Sequence, residues 1–387
     1  MSNFAQSKPV SVADLEKIAL DKLPKSVRAY YEGGAEDEIT LRENISSLQR
    51  YRVVPRYLVD VGSDKLDVRS RPIWGKRQNF PFAVGPSAFH RLAGYDGELD
   101  VARAAAKRGI SMGLSSSSTS NLEDVIEAVI GGSNYMSVSM CILFDVRLFA
   151  NISRIIIANI RSDTEEFIHR SERAGYTALL ITIDRPYLGR RHSYLREKFE
   201  LPPHLRRASG DKMAQDPSMH WDELIPWLRS VTRMKILVKG VLHPEDAALA
   251  IKHGLDGIVV SNHGGRQLDA APATIDALPC IADVIRGRIP IFFDGGVRKG
   301  IDVFRALALG ADIVLLGRAV LWGLAAGGEE GVGLTLDIIA EEFRLVMALA
   351  GITDVTQIKR STLALVNPYQ VGLVHLPDPV WEDKRSR

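Results

Sequence analysis

The sequence predicts an α/β fold: a (β/α)8 TIM barrel behind a short helical N-terminal extension, with a long loop after strand four. Three observations point there. From about residue 80 onward, short apolar runs alternate with amphipathic stretches of helical length, the habit of repeated β-α units around a parallel sheet. Glycines stand just past helical runs and before strands. The alternation fills roughly 250 residues, the size of eight such units. A doubly wound open sheet shares this periodicity and is the competing arrangement.

The elements follow in order. Residues 1–75 form the extension: 12–22 and 25–32 are helical in pattern, and 52–60 reads as an extended approach. Residues 76–360 form the barrel, whose clear apolar runs are 82–85, 110–114, 178–183, 235–239, 257–260, 289–293 and 313–316. An eighth run belongs between the second and third, where 135–140 is the candidate. Residues 97–108 set Leu99, Ala102, Ala105 and Ala106 on one side of a helix, and Pro244-Glu245-Asp246 suits a first helical turn. Gly109, Gly254 and Gly310 are the expected left-handed terminators. Residues 197–222 are polar and aperiodic, with the length of a lid or a disordered loop, and 361–387 is a C-terminal tail.

Composition removes several classes of function. The chain has 387 residues, with 49 Lys+Arg against 47 Asp+Glu and a net charge of +2, a balance that argues against a nucleic-acid partner. Two cysteines, Cys141 and Cys280, are too few for a disulfide framework and lack zinc-site spacing, so no metal is expected and the chain reads as intracellular and cytoplasmic. The N-terminal residues include Lys8, Asp14, Glu16 and Lys17 without the apolar run of a secretion signal, and the ending Arg385-Ser386-Arg387 does not match the Ser-Lys-Leu peroxisomal signal. The most apolar window, 141–160, is interrupted by Asp145, Arg147 and Arg154, so no membrane span is expected.

In a parallel barrel the reactive groups sit at the carboxyl ends of strands. Strand six leads into Ser261-Asn262-His263-Gly264-Gly265-Arg266-Gln267-Leu268-Asp269. The histidine can act as a base near neutral pH, the glycines let backbone approach a ligand, and the arginine can hold a carboxylate bidentately. Taken alone, the same run also fits a glycine-rich turn with solvated side chains. Strand seven leads into Asp294-Gly295-Gly296-Val297-Arg298-Lys299-Gly300 and strand eight into Gly317-Arg318, consecutive glycine turns of the kind that bind phosphate at helix N-termini. Lys239 closes strand five and needs a counter-charge such as a cofactor anion. Asp184 closes strand four, ahead of Gly189-Arg190-Arg191, and can orient His263 as a buried carboxylate orients a triad imidazole.

These motifs, with Leu188-Gly189-Arg190-Arg191, 236–240 and Tyr30-Tyr31-Glu32-Gly33-Gly34-Ala35, resemble the FMN-dependent α-hydroxy-acid oxidase and dehydrogenase family, which contains glycolate oxidase and L-lactate dehydrogenases. The similarity runs from about residue 12 to about residue 360. The resemblance implies that FMN is the cofactor. Pro86, Ser87, Ala88 and Ser115 would line it, while Thr182, Lys239 and Ser261 would contact its ring or ribityl chain. Asp294, Gly295, Gly296, Val297 and Arg298, with Gly317 and Arg318, would hold ribityl and phosphate. Tyr30, Arg191 and Arg266 would hold the substrate carboxylate, His263 would be the base and Asp184 would stand behind it. Lys239 would stabilise negative charge on the reduced ring. The implied reaction oxidises an (S)-2-hydroxy acid to the 2-oxo acid, by hydride transfer or through a carbanion, in a homotetramer.

The pattern breaks in places. The family's third strand carries Gln-Leu-Tyr, but the corresponding stretch here is Tyr135-Met136-Ser137-Val138-Ser139, followed by an extra segment at about 140–160. That segment reads as translated intron, because Val138-Ser139-Met140-Cys141 can be back-translated as the donor-like GTAAGTATGTGC and Ala158-Asn159 as the branch-like GCTAAC. A sequenced transcript lacking codons 140–159 is the expected result, and a mature message that keeps them eliminates the idea. Ser117 stands where glycolate oxidase has a tryptophan, leaving more room than glycolate needs. With no haem domain ahead of the barrel, oxygen is the expected acceptor and hydrogen peroxide the product. A dehydrogenase using quinone or another carrier, and a catalytically impaired flavin-binding homologue, are the alternatives.

Overall fold

The structure, a computed structural model, describes residues 9–130, 141–145, 154–207, 218–366 and 373–380. The extension supplies helices α1 (Val12–Lys22), α2 (Lys25–Glu32) and α3 (Ile39–Ser46), then strand β1 (Tyr51–Val53). The start of α1 is fixed by a capping box: Ser11 Oγ accepts from Asp14 N at 3.2 Å while Asp14 accepts from Ser11 N at 3.0 Å. The first two helices have the spans that the sequence pattern predicts.

The repeat then runs β2 (Phe82–Val84), α4 (Glu98–Ala106), β3 (Gly113–Ser115), α5 (Leu122–Ile130), β4 (Cys141–Asp145), α6 (Arg154–Ala174) and β5 (Ala178–Thr182). It continues α7 (His192–Arg196), α8 (Trp221–Val231), β6 (Lys235–Val241), α9 (Pro244–Lys252), β7 (Gly257–Val260), α10 (Thr274–Ile285), β8 (Ile291–Phe293), α11 (Gly300–Ala308), β9 (Ile313–Leu316) and α12 (Arg318–Ala350). The glycine terminators stand where the sequence puts them: Gly109, Gly254 and Gly310 have φ of 63°, 65° and 120°.

Eight parallel strands pair in the order β2-β9-β8-β7-β6-β5-β4-β3. The ring closes where Val84 bridges Met112 in parallel and its amide donates to Ser111 O at 2.9 Å. Closure selects the TIM barrel over the open doubly wound sheet. Strand alternation divides the core in two. Ala83, Leu180, Leu237, Val259, Phe292, Ile313 and Leu315 form one buried cluster, whereas Val314 and Leu316, one residue out of phase on β9, join the larger cluster that packs the helices.

Two parts differ from the expectation. The third barrel strand is β4, at Cys141–Asp145, in register with β3 (Gly113↔Cys141) and β5 (Cys141↔Ala178). It therefore lies inside the segment read as extra, and α6 begins at Arg154; the candidate strand 135–140 lies outside the described residues. A barrel lacking a third strand would leave the ladder edges of β3 and β5 unpaired, and the apolar run at 141–144 is what fills the gap. Secondly, the stretch read as tail folds back: β10 (Leu363–Val366) pairs antiparallel with β1, Arg52 opposite Ala364, and β11 (Leu373–His375) pairs with β10. This small sheet ties the extension to the end of the chain.

Candidate active site

The loops after the barrel strands enclose a cavity of about 470 Å3. Its wall includes Pro86, Ser87 and Ala88 after β2, Ser115 at the end of β3, Lys239 on β6 and His263 after β7. It continues through Asp294, Gly295, Gly296, Val297 and Arg298 after β8 to Gly317 and Arg318 after β9, with Tyr30, Arg191 and Arg266 also on the wall. Thr182, Ser261 and Asp184 are not on the wall but neighbour residues that are: Thr182 pairs in register with Lys239 across β5 and β6. Ser261 Oγ lies 2.6 Å from Lys239 Nζ, and Asp184 Oδ1 lies 3.0 Å from His263 Nδ1. Residues far apart in the chain and singled out by position at strand ends are thus gathered in one place.

The histidine is held tightly. Its backbone has φ of 57°, in the left-handed region, and its amide donates to Ser261 Oγ at 3.1 Å. A carboxylate only accepts, so Asp184 fixes the imidazole proton on Nδ1 and leaves Nε2 as the basic nitrogen. Burial lowers the His263 pKa from its usual 6.5; Asp184 opposes this, and Lys239 and Arg185 reinforce it. The imidazole is therefore neutral, and able to take a proton, at ordinary pH. Gly240 explains why glycine follows Lys239: with φ of 113°, a Cβ there would lie 2.5 Å from Asp184 Cβ.

Positive charge is concentrated beside it. Arg191 donates from Nε to Arg266 O at 3.2 Å, and Arg266 donates to Tyr30 O at 2.8 Å while its guanidinium lies 4.8 Å from the centroid of the Tyr30 ring. Burial, with Arg266, Arg185 and Arg318 nearby, pushes Arg191 down to about 9. Burial, with Arg266 and Arg298, does the same to Arg318. Both guanidinium groups are lowered chiefly by burial and secondarily by their arginine neighbours, so like charges share this wall, where an anion would be favoured.

Several expectations need correcting in detail. Lys239 has a counter-charge within the chain, Asp294 Oδ2 at 2.9 Å, beside whatever anion a cofactor would bring. The amides of Arg298 and Lys299 donate to Asp302 and that of Gly300 to Glu342, so the start of α11 is already capped by the chain's own carboxylates. Arg298 pairs with Glu16 at 2.8 Å, and Arg318 donates to the carbonyls of Tyr31, Gly33 and Gly264 at 2.8, 3.2 and 3.0 Å. Both arginines line the cavity while anchoring the extension.

Other residues escaped the sequence reading. Gln267 joins the two loops that carry Asp184 and His263: its Nε2 donates to the carbonyls of Asp184 and Tyr187, both at 2.9 Å, and its Oε1 accepts from Gly189 N at 3.2 Å. Its place beside Arg266 was the available signal. Phe199, from the long aperiodic loop, stacks on Tyr30 at 4.6 Å, and Arg207 from the same loop lies 5.6 Å over the Phe89 ring at the cavity wall. Nothing local marks these contacts.

The profile of the FMN-dependent dehydrogenase family matches residues 19–365. The chain belongs to this family. It is 41% identical to human 2-hydroxyacid oxidase 1, over 94% of this chain and 99% of that protein, and 41% identical to glycolate oxidase 1 of Zea mays, over 90% and 94%. Among solved structures, a mandelate oxidase with benzoyl-formic acid superposes with a TM-score of 0.82 at 36% identity, covering 92% of this chain and 99% of that one.

The FMN-dependent dehydrogenase site fits its cofactor on physical grounds. Thr182 Oγ1 and Asp294 Oδ1 are buried with no hydrogen-bond partner among the described residues, and a Cβ on Gly317 would meet nothing within 4 Å. Idle polar atoms and open space beside a glycine, under a surplus of positive charge, suit a polyhydroxylated phosphate ester. Bound FMN supplies the two-electron acceptor. The chain's own groups can then bind a carboxylate through Arg191 and Arg266 and receive a proton at His263 Nε2. Among the described residues no helix is long and apolar enough to cross a membrane.

Proposed function

We propose that this FMN-dependent enzyme oxidises an (S)-2-hydroxy acid to the 2-oxo acid, with oxygen as acceptor and hydrogen peroxide as product. The observation that carries the reading is the pairing of His263 with Asp184 at 3.0 Å in the cavity that also holds Arg191 and Arg266. A 2-hydroxy acid has its negative charge beside the carbon to be oxidised. Two guanidinium groups can therefore fix that carbon's orientation while the imidazole takes a proton from it or from its hydroxyl. The similar proteins named for 2-hydroxyacid, glycolate and mandelate oxidation support the substrate class. Ser117 on the cavity wall leaves room for a side chain larger than that of glycolate. A homotetramer is part of the same reading, supported by the family resemblance, and sedimentation as four chains is expected.

The test is a panel of 2-hydroxy acids with oxygen consumption and peroxide measured together. One peroxide per oxygen is expected; turnover that needs an added quinone or dye would assign the acceptor elsewhere. Arg266→Lys should raise KM about tenfold or more with a smaller effect on kcat, because lysine keeps the charge but loses the planar fork. Steady-state kinetics on one substrate checks this, and an unchanged KM removes Arg266 from carboxylate binding. A catalytically impaired flavoprotein is the second reading. It is favoured by β4, whose Cys141-Ile142-Leu143-Phe144-Asp145 contains neither the glutamine nor the tyrosine of the family's third strand.

A further inference from the structure

His90 and Glu98 are buried titratable groups that the proposed chemistry does not use. The Glu98 carboxylate is fully engaged. Oε1 accepts from the amides of His90 at 3.0 Å and Thr119 at 2.8 Å, Oε2 accepts from the Ser120 hydroxyl at 2.9 Å, and the Thr119 hydroxyl reaches both oxygens at 3.0 Å. This clamps the turn His90–Leu92 to the loop after β3. The imidazole then spans from the clamp to the cavity wall: Nε2 lies 2.7 Å from the Oγ of Ser87, which lines the cavity. Nδ1 is buried and has no hydrogen-bond partner among the described residues.

That orphan atom chooses the tautomer. A proton on Nδ1 would be a buried N–H without an acceptor, whereas a proton on Nε2 leaves only an idle lone pair, the less costly defect. Burial drives His90 toward its neutral form, with Glu98 opposing. With its proton on Nε2 the ring donates to Ser87 Oγ, so the hydroxyl's own hydrogen is left for an acceptor other than the ring. We propose that His90 is a positioning residue that aims the Ser87 hydroxyl as a hydrogen-bond donor at an acceptor atom of the bound flavin. A donor held there favours the reduced, more electron-rich state. The inference rests on FMN occupying this cavity.

The experiment measures the midpoint potential of the FMN-loaded protein by equilibration with reference dyes. Ser87→Ala is expected to shift the two-electron equilibrium about tenfold toward the oxidised form, roughly 30 mV. His90→Leu should give the same shift, and the double variant should go no lower than either single one. His90→Gln, whose amide can still donate to Ser87, should retain the original potential. An unchanged potential in flavin-loaded Ser87→Ala overturns the proposal even if the His90 variants do not fold, and so does a double variant that falls below both singles. A chain that takes up no FMN fails at the cofactor itself, a result distinct from bound flavin with an unmoved potential.

Discussion

His263→Gln should bind FMN normally and lose reduction of that flavin by substrate, the rate constant falling about 10²–10⁴-fold, the usual contribution of a positioned general base. The glutamine has similar reach but cannot take the proton. Rapid-mixing absorbance at the flavin band checks this without depending on the electron acceptor, and an unchanged rate places the base elsewhere. In the unsubstituted chain, the acid limb of kcat/KM should fall below the ordinary imidazole value of 6.5, since burial outweighs the Asp184 carboxylate at this ring. Activity is then retained at pH values where a free imidazole would already be protonated, and is lost only as Nε2 protonates.

Asp184→Asn should be the next most damaging change, with a plateau rate lower by about 10²-fold or more. The carboxylate holds the proton on Nδ1 at 3.0 Å, whereas an amide can donate to that nitrogen and move the proton to Nε2, which disables the base. The sign of the pH effect is opposite to intuition. Asp184 raises the His263 pKa, so removing its charge lowers that value further and moves the acid limb to lower pH, even as the plateau falls. A pH profile of flavin reduction reads both changes, and a limb that moves to higher pH contradicts the assigned coupling.

Much of the site was legible because barrel topology turns position in the chain into position in space. Groups just after an apolar run come together at one end, which is why Asp184, Lys239, His263 and the Asp294 to Arg298 turn could be named from sequence. What could not be read depends on contacts between distant loops. Gln267 bridges two loops by accepting from one amide and donating to two carbonyls, and Phe199 reaches Tyr30 across an aperiodic stretch. The pairing of β1 with β10 joins segments about 310 residues apart, with three residues of strand in β1 and no turn signal between them. The strand β4 was hidden for another reason. Its apolar run sits in a longer apolar window, 141–160, where neither a period of two nor one of 3.6 stands out.

The same strand bears on catalysis. β4 completes the ring through Gly113↔Cys141 and Cys141↔Ala178, so the barrel closes whether or not its third strand carries the family's polar pair. Closure and chemistry are therefore separable here. The fold can persist without the glutamine and tyrosine that the family resemblance expects on this strand, and this is the basis for setting an active oxidase against an impaired one.

The most direct measurement is anaerobic mixing of the yellow, FMN-loaded protein with (S)- and (R)-enantiomers of lactate, mandelate and a longer-chain 2-hydroxy acid. Bleaching of the oxidised flavin band by at least one (S)-acid, with the matching (R)-acid inert, is the expected result. A flavin band left intact by every 2-hydroxy acid would contradict the assignment of His263, Arg191 and Arg266 to oxidation of this substrate class.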